Sequence, residues 1–343
     1  MQPETQKLLD GQKNTFLNFI KGCACIGVVW IHVLFPGMFG TIVHKASQFA
    51  VPIFLMISGY YAYSADGDAY SKIKRRCKRI AVITVYALFL YLAFTLFYNY
   101  FKHDLTSWLG LFRSLKVWAE IILLGDLDLI WAKHLWFLPA QIISYLILMY
   151  IDKKNLYALA YKLLPYMILG RIIVSSIVST CGMNWHLKLN FLVGALPWMI
   201  LGNYLAYNQN LKNKFSNRNL ILALVVGGIL AVGSSVLFVL KILPIELSEV
   251  GNTLYSVALF ILAIKNPEIS ISKSVEKLGE NYSLYVYILH LLVAYFVGFT
   301  AKFAGIYYYS LYDWVHPVIV VILSIIASMI LYRVINRSKS IGK

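Results

Sequence analysis

The sequence predicts an all-α membrane protein with about ten transmembrane helices, and three observations support this class: the composition, the apolar segments and the basic loops. Hydrophobic residues make up 60% of the 343 residues and charged residues 13%, whereas soluble domains have roughly 25% charged residues. Apolar segments near the length of about 20 residues that a span requires follow one another with short polar connections. We therefore expect a single membrane-embedded domain over residues 1–343, with no separate soluble domain.

The apolar segments supply the ten predicted spans, one after the other along the chain. They lie at about 16–35, 47–63, 80–98, 134–151, 156–177, 190–207, 219–240, 251–265, 283–304 and 313–335. Proline removes a backbone donor and interrupts the helical ladder. We therefore expect kinks or half-helices at Pro52, Pro139, Pro165 and Pro197.

The basic residues between the spans predict the orientation, because short cytoplasmic loops are enriched in Lys and Arg. With the N-terminus in the cytoplasm, 20 of the 31 basic residues fall in inner segments, 8 in outer segments and 3 within spans. The inner group includes Lys7, Lys13 and Lys343. This pattern predicts a multi-pass protein of the plasma membrane with both termini in the cytoplasm. It also explains the net charge of +16 without a nucleic-acid partner, while membrane lipids are expected partners.

A further segment between the third and fourth spans has apolar residues at helical spacing. They are Leu105, Trp108, Leu109, Phe112, Leu115, Trp118 and Ile122. Charged residues alternate with them, which is typical of a helix that lies in the membrane interface. We therefore expect an interfacial helix on the outer side.

The cysteines predict neither a disulfide framework nor a metal site. Cys23, Cys25, Cys77 and Cys181 lie within or beside apolar segments, without a CxxC pair and without a histidine at zinc-finger spacing. No metal is therefore expected.

The first span has polar residues on one face. Lys21 and His32 are ~20° apart around the helix and ~16 Å apart along it, with Asn18 and Cys25 on the same side. Such a helix is expected to line a cavity rather than to meet lipid, since ionisable groups in hydrocarbon are costly. The alternative is that Lys21 reaches the headgroups and His32 makes one buried hydrogen bond.

Two later spans also contain ionisable residues. Arg171 in the fifth span is expected at about the depth of His32, where it either pairs with Asp313 or contacts the substrate. His290 in the ninth span is expected nearer the cytoplasmic half, either in a hydrogen bond between helices or in contact with a ligand.

The densest positive charge lies in the segment from Lys72 to Arg79, just before the third span. Six cations there are expected to bind anionic lipid headgroups and to fix the topology. A second use stays open, because Arg76 and Arg79 share a helix face and can bind a polyphosphate.

Taken together, these motifs resemble the acyltransferase type 3 family of integral membrane enzymes. The resemblance rests on an ordered set of segments along nearly the whole chain: Asn18-x-x-Lys21, His32, the segment from Val51 to Tyr60, Arg76-x-x-Arg79, the segment from His134 to Leu138, Pro197 to Tyr204, and Asn281 to His290. Lys21 occupies a position where the family often has arginine. The resemblance implies transfer of an acyl group, commonly acetyl, from coenzyme A to a hydroxyl of a sugar or another acceptor.

The resemblance also implies roles for individual residues. His32 would be the catalytic base, and Arg76 and Arg79 would contact the phosphates of acetyl-CoA at the cytoplasmic side. The pantetheine arm would run along the face of Lys21, and the acceptor, a cell-surface glycan or a lipid-linked sugar, would enter from the outer side. The remaining candidates are Lys21 and Arg171 for catalysis, Arg75 for donor binding, and Ser58, Tyr60, His134, Trp136 and His290 for substrate binding.

Other interpretations stay open at this stage. His32 acts directly as a base, or Cys25 carries a transient acyl group. A transporter or flippase for a lipid-linked glycan is the alternative function, because polar stripes and broken helices also serve alternating access. A purely structural membrane protein is the third option. The free energy needed to place the ionisable side chains of His32 and Arg171 inside the membrane argues against it.

Overall fold

The computed structural model describes residues 14–65 and 67–341, apart from the side chains of residues 123 and 338–341. Lys7, Lys13 and Lys343, which the charge count assigned to the cytoplasm, lie outside the described residues. The rest of the chain is helical, with no strand among the residues described. The all-α class is therefore confirmed.

Fifteen α-helices make up most of the described chain. They are α1 (Thr15–His32), α2 (Gly37–Ser47), α3 (Ala50–Tyr60), α4 (Ala69–Phe101), α5 (Leu105–Leu111), α6 (Leu115–Ala119), α7 (Phe137–Lys153), α8 (Tyr157–Thr180), α9 (Leu196–Tyr207), α10 (Leu211–Lys214), α11 (Asn217–Val239), α12 (Ser248–Lys265), α13 (Lys273–Lys277), α14 (Ser283–Phe303) and α15 (Ser310–Ile341). Short 3₁₀ and π segments lie between them at Glu120–Leu124, Asp128–Ile130, Lys133–Trp136, Trp185–Leu187, Phe191–Ala195 and Leu278–Tyr282.

Eight of the ten predicted spans coincide with helical segments that are long and apolar enough to cross a membrane. The sixth corresponds to the shorter apolar segment Phe191–Tyr207, and the eighth to α12. The chain is therefore a membrane protein. The count of ten and the orientation of the termini stay predictions.

The expected interruptions at proline are present at three of the four positions. Pro52, Pro139 and Pro197 each lie in the first turn of a helix, preceded by a turn, a 3₁₀ segment or a π segment. Proline is tolerated there because the first turn has no carbonyl partner for its backbone nitrogen. Pro165 lies inside α8, which continues as one helix from Tyr157 to Thr180. The spans with Pro52, Pro139 and Pro197 are therefore built from joined helical pieces, whereas the fifth span is one helix.

The basic segment before the third span is helical rather than a loop. Helix α4 contains 33 residues, which is ~50 Å at the usual rise per residue and exceeds the ~30 Å hydrocarbon thickness. The first turns of α4 therefore extend beyond the hydrocarbon, and they contain all the cations from Lys72 to Arg79.

The predicted interfacial helix is not continuous. Helices α5 and α6 are separated at Phe112–Ser114, and α6 continues into the π segment Glu120–Leu124. The indole of Trp108 donates to the carbonyl of Leu129, and that of Trp118 donates to the carbonyl of Phe112. The position of these segments in the outer interface stays a prediction.

The helices divide into two compact units. The first unit is Leu55–Asn208, in which α4 packs on α7 and α8 packs on α9. The second unit contains the described residues of Asp10–Phe54 and Gln209–Lys343, in which α11 packs along α12 and α14 along α15. Helix α1 of the second unit contacts α13, α14 and the π segment between them.

Candidate functional site

The second unit brings together two histidines that the sequence analysis treated separately. His32 is the last residue of α1 and is half-buried, whereas His290 in α14 is fully buried. Their ring centroids are 5.3 Å apart, with the planes tilted by 34°. At this separation the ring of the half-buried His32 is in contact with the ring of the enclosed His290.

The depth predicted for His290 is wrong. The sequence analysis placed it nearer the cytoplasmic half than His32, because it started the ninth span at residue 283. The helical segment begins at Lys273 instead. Its ten additional residues, which include the polar stretch Lys277–Tyr282, put His290 beside His32.

The surroundings of His290 fix its tautomer. Its Nδ1 lies 2.8 Å from the carbonyl oxygen of Tyr287 and 3.2 Å from that of Val286. A carbonyl oxygen only accepts hydrogen bonds, so Nδ1 bears the proton of the neutral ring. The lone pair of His290 is therefore on Nε2.

The other end of α1 packs closely against the start of the ninth span. A Cβ at Gly279 would overlap the carbonyl oxygen of Asn18, and one at Gly22 would overlap the carbonyl oxygen of Val275. Both positions require glycine because the two backbones touch. Lys21 is half-buried at this contact, with its Cβ beside Gly279.

Cys25 is part of an apolar cluster rather than of a polar stripe. Its exposed fraction is 2%, and it packs with Val29, Leu278, Tyr282 and Val286. A thiol in this environment behaves as a small hydrophobic side chain. The structure therefore favours packing over acyl transfer as the role of Cys25.

The first unit contains the arginines of the basic segment. Arg75 and Arg79 are exposed, while Arg76 is half-buried with its guanidinium 5.6 Å from the ring centre of Tyr61. That distance is typical of a cation–π contact. All three arginines lie on the first turns of α4. The guanidinium of Arg76 contacts Tyr61, which directly follows α3.

Ser58 belongs to a small polar cluster with residues of α7. The Gln141 amide donates to the Ser58 hydroxyl at 2.6 Å. Tyr145, one turn further along α7, is hydrogen-bonded to Ser58 and Gln141 and lies within electrostatic reach of Arg76. The sequence analysis missed Gln141 and Tyr145, although two polar residues at i and i+4 inside a span are a signal for a shared polar face.

Tyr60 is buried at the end of α3, where α3 and α9 touch. A Cβ at Gly59 would overlap the carbonyl oxygen of Met199, so the two backbones are in direct contact. Asn203 of α9 donates to the Gly59 carbonyl and accepts from the Tyr161 hydroxyl. The segment with Ser58 and Tyr60 is thus held in place from α9.

Arg171 is 7% exposed and stacks on an aromatic ring of the first unit. Its guanidinium carbon lies 4.7 Å from the ring centre of Trp198, which is a cation–π geometry. The sequence analysis did not identify this partner. The pairing of Arg171 with Asp313 and its contact with substrate both stay predictions.

His134 and Trp136 lie in the 3₁₀ segment before α7. His134 is 1% exposed, with its ring centre 5.1 Å from that of Tyr91. Trp136 is 4% exposed and lines a cavity of about 30 Å³, together with Asn190 and Phe191. Both residues are therefore buried in the first unit, and Trp136 borders a small cavity.

A third group of polar residues in the first unit was missed altogether. Asp126, Asp128 and His186 have ligand atoms within 4.8 Å of one another. Burial lowers the pKa of His186, and the neighbouring carboxylates oppose this effect. Burial and the charge of Asp126 raise the pKa of Asp128. Local spacing gave no signal for this group, because His186 is far from both aspartates in the chain.

A family model described as an acyltransferase domain matches residues 14–333. Neither the comparison with curated proteins nor the comparison with solved structures found a match.

Proposed function

Because the chain belongs to the acyltransferase family whose domain model covers residues 14–333, we propose that it is a membrane O-acyltransferase that uses acetyl-CoA. The proposed acceptor is a hydroxyl of a cell-surface glycan or a lipid-linked sugar. The proposed location is a bacterial plasma membrane, with both termini in the cytoplasm.

The pairing of His32 with His290 is the observation that carries this proposal. A buried imidazole within a membrane span is costly unless it has a partner, and the two rings lie 5.3 Å apart. His32 is half-buried, so its ring can meet a reactant, whereas His290 is fully enclosed. This asymmetry favours His32 as the reacting group and His290 as a positioning residue.

The proposed reaction uses His32 as a general base. Its imidazole takes the proton of the acceptor hydroxyl while the hydroxyl oxygen attacks the thioester carbonyl carbon. The C–S bond then breaks, and the proton passes from the imidazolium to the leaving sulfur, which gives an ester and the free thiol of coenzyme A. A positioned base of this kind contributes typically 10²–10⁴-fold to the rate.

We propose that His290 acts through His32. Its Nδ1 proton is held by the carbonyl of Tyr287, which leaves Nε2 as an acceptor. An acceptor at this position would bind the N–H of His32 and keep the opposite nitrogen of His32 free to take a proton. Lys21 lies ~16 Å along α1 from His32, and it is proposed to line the path of the pantetheine arm of the donor. Arg171 is the proposed cation for the developing oxyanion.

The donor is proposed to bind through the arginines at the start of α4. Guanidinium groups bind phosphates by paired hydrogen bonds, and Arg76 is oriented by its contact with Tyr61. Arg75 and Arg79 are exposed on the same helix. The acceptor is proposed to contact the segment with Trp136 beside its small cavity, with Ser58, Tyr60 and His134 as supporting residues.

Release of free thiol from acetyl-CoA by the purified protein tests the function. With a surface polysaccharide as acceptor, we expect thiol release together with a mass increase of the glycan by one acetyl group per ester. Movement of labelled glycan across liposomes without thiol release would contradict the proposal and would favour a transporter.

The donor site is tested by comparing two donors that differ in their phosphates. Arg76→Ala with Arg79→Ala is expected to raise the KM for acetyl-CoA by roughly 10-fold or more and to leave the KM for S-acetylpantetheine, which lacks the phosphates, unchanged. Lys74→Ala with Lys78→Ala is the matched control, since it removes two exposed cations from the same helix. An equal effect of both pairs would instead indicate a general role in lipid binding.

A further inference from the structure

Asp126, Asp128 and His186 form a polar cluster that the proposed acyl transfer does not use. It lies outside the candidate membrane-spanning helices, in the two connections that flank α7 and α8 of the first unit. One nitrogen or oxygen atom from each residue lies within 4.8 Å of the others. The cluster combines one imidazole with two carboxylates.

His186 is the member that indicates a ligand. Its side chain is 1% exposed, and neither ring nitrogen makes a hydrogen bond with any residue that the structure describes. A buried imidazole without a hydrogen bond carries a desolvation cost. The ring is covered by Trp185, whose ring centre is 3.6 Å away, so the histidine is held in this orientation.

The contact between His186 and Asp126 has the geometry of two ligands of one ion. The Nε2 of His186 and the Oδ2 of Asp126 are 3.1 Å apart, although they are not aligned as a hydrogen bond. Donor atoms at ~2.1 Å from a common metal ion, at bond angles of roughly 90–110°, lie ~3.0–3.4 Å from each other. The observed separation falls within this interval.

The backbone orients the Asp126 carboxylate for this role. Its Oδ1 accepts a hydrogen bond from the backbone nitrogen of Asp128 at 2.9 Å, which leaves Oδ2 directed at His186. Hydrogen bonds that fix the ligands in this way are typical of metal sites. Asp128 is the exposed member of the group, and its side chain can rotate towards a shared ion.

We propose that Asp126, Asp128 and His186 bind a Zn²⁺ ion with a water molecule in the fourth position. One imidazole and two carboxylates are nitrogen and oxygen ligands of the kind that zinc binds. Ca²⁺ and Mg²⁺ prefer oxygen ligands and do not favour an imidazole nitrogen. The bound ion cross-links the connection before α7 to the connection before α9. It thereby fixes the two connections that contribute Gly125 and Asn190 to the cavity beside Trp136.

Zinc binding by the full-length protein in detergent tests this proposal. The protein is treated with EDTA, freed of the chelator and titrated with ZnCl₂ while bound metal and Tm are measured. We expect one zinc ion per chain and a Tm increase of several degrees at a zinc concentration about 100-fold above Kd. MnCl₂ and CaCl₂ are titrated in parallel and are expected to bind at least 10-fold more weakly.

Substitutions locate the binding. His186→Gln and Asp126→Asn are expected to weaken zinc binding at least 10-fold, whereas His103→Gln and Asp104→Asn, which remove an exposed histidine and an exposed aspartate of the same unit, are expected to bind zinc as the parent does. Asp128→Asn changes an exposed side chain, so it is expected to fold even if His186→Gln does not. Its zinc binding is also expected to be weaker than that of the parent. Absence of stoichiometric zinc in the parent, unchanged binding in the cluster variants, or equal stabilisation by calcium would each overturn the proposal.

Discussion

At the scale of the residue, two histidines distant in sequence account for the chemistry that we propose. His290 has its Nδ1 proton engaged by the carbonyl of Tyr287 and its ring beside that of His32. The role that we propose for it is to orient His32, since a misplaced general base loses much of its effect.

His290→Phe tests this positioning role. Phenylalanine preserves a buried planar ring and removes both nitrogens, so we expect kcat to fall by roughly 10–100-fold while the KM for acetyl-CoA changes little. His290→Gln, whose amide oxygen can accept a hydrogen bond, is expected to recover part of the rate. Steady-state kinetics on both variants measure the effect.

The matched control is His316→Phe, which removes another histidine from a span of the same unit. We expect it to retain the parental kcat. Equal rates for His290→Phe and the parent, or an equal loss in His316→Phe, would show that His290 does not position the base.

At the scale of the element, a buried ion pair joins α2 to the connection before α12. The Nζ of Lys45 lies 3.0 Å from Oε2 of Glu246 and donates to the Ser248 hydroxyl at 3.1 Å. The side chains of Lys45 and Glu246 are 10% and 8% exposed. Nothing in the local sequence around Lys45 points to Glu246, which is 201 positions away in the chain.

Breaking this pair is expected to destabilise the protein. Lys45→Met leaves the Glu246 charge buried without its ammonium partner, for which the typical cost is roughly 3–5 kcal/mol. The double variant Lys45→Met with Glu246→Gln removes the charge as well, and we expect it to recover most of the lost Tm. Thermal unfolding in detergent gives both values.

Lys116→Met serves as the control for this experiment. Lys116 and Glu120 are 3.8 Å apart and exposed by 83% and 35%, so their pair is worth less than about 1 kcal/mol. If Lys45→Met lowered Tm no more than Lys116→Met does, the buried pair would not stabilise the second unit.

Sequence patterns predict these elements well where the signal is local. Span boundaries follow from apolar runs, and the prolines marked the breaks before α3, α7 and α9. The start of the ninth span was missed because Lys277–Tyr282 is polar, yet it is helical and packs on α1 through Gly279 and Gly22. A polar segment buried by a neighbouring helix carries no hydropathy signal of its own.

The candidate site is only partly predictable for the same reason. His32, Arg76 and Arg171 are visible in the sequence because charged or titratable groups are rare in apolar surroundings. Their neighbours His290, Tyr145 and Trp198 come from distant segments, and only the tertiary fold brings them together. The grouping of Asp126, Asp128 and His186 is the extreme case, since no member of it stands out in the sequence.

At the scale of the whole molecule, the orientation across the membrane can be tested with the native cysteines. Cys181 is exposed at the end of α8, which the charge pattern assigns to the outer side. Cys25 and Cys77 are buried, and Cys23 is half-buried within α1. We expect a membrane-impermeant maleimide to label the protein in intact cells, and Cys181→Ser to abolish this labelling. Labelling that required permeabilised cells would reverse the predicted orientation.

The account as a whole rests on His32 as the base of an acyl transfer. The most direct measurement is thiol release from acetyl-CoA by purified His32→Ala, compared with the parent and with His103→Ala, which removes an exposed histidine of the first unit. We expect the rate of His32→Ala to fall by 10²–10⁴-fold at an unchanged Tm, and that of His103→Ala to stay at the parental value. A His32→Ala protein that releases thiol and acetylates its acceptor at the parental rate would contradict the account.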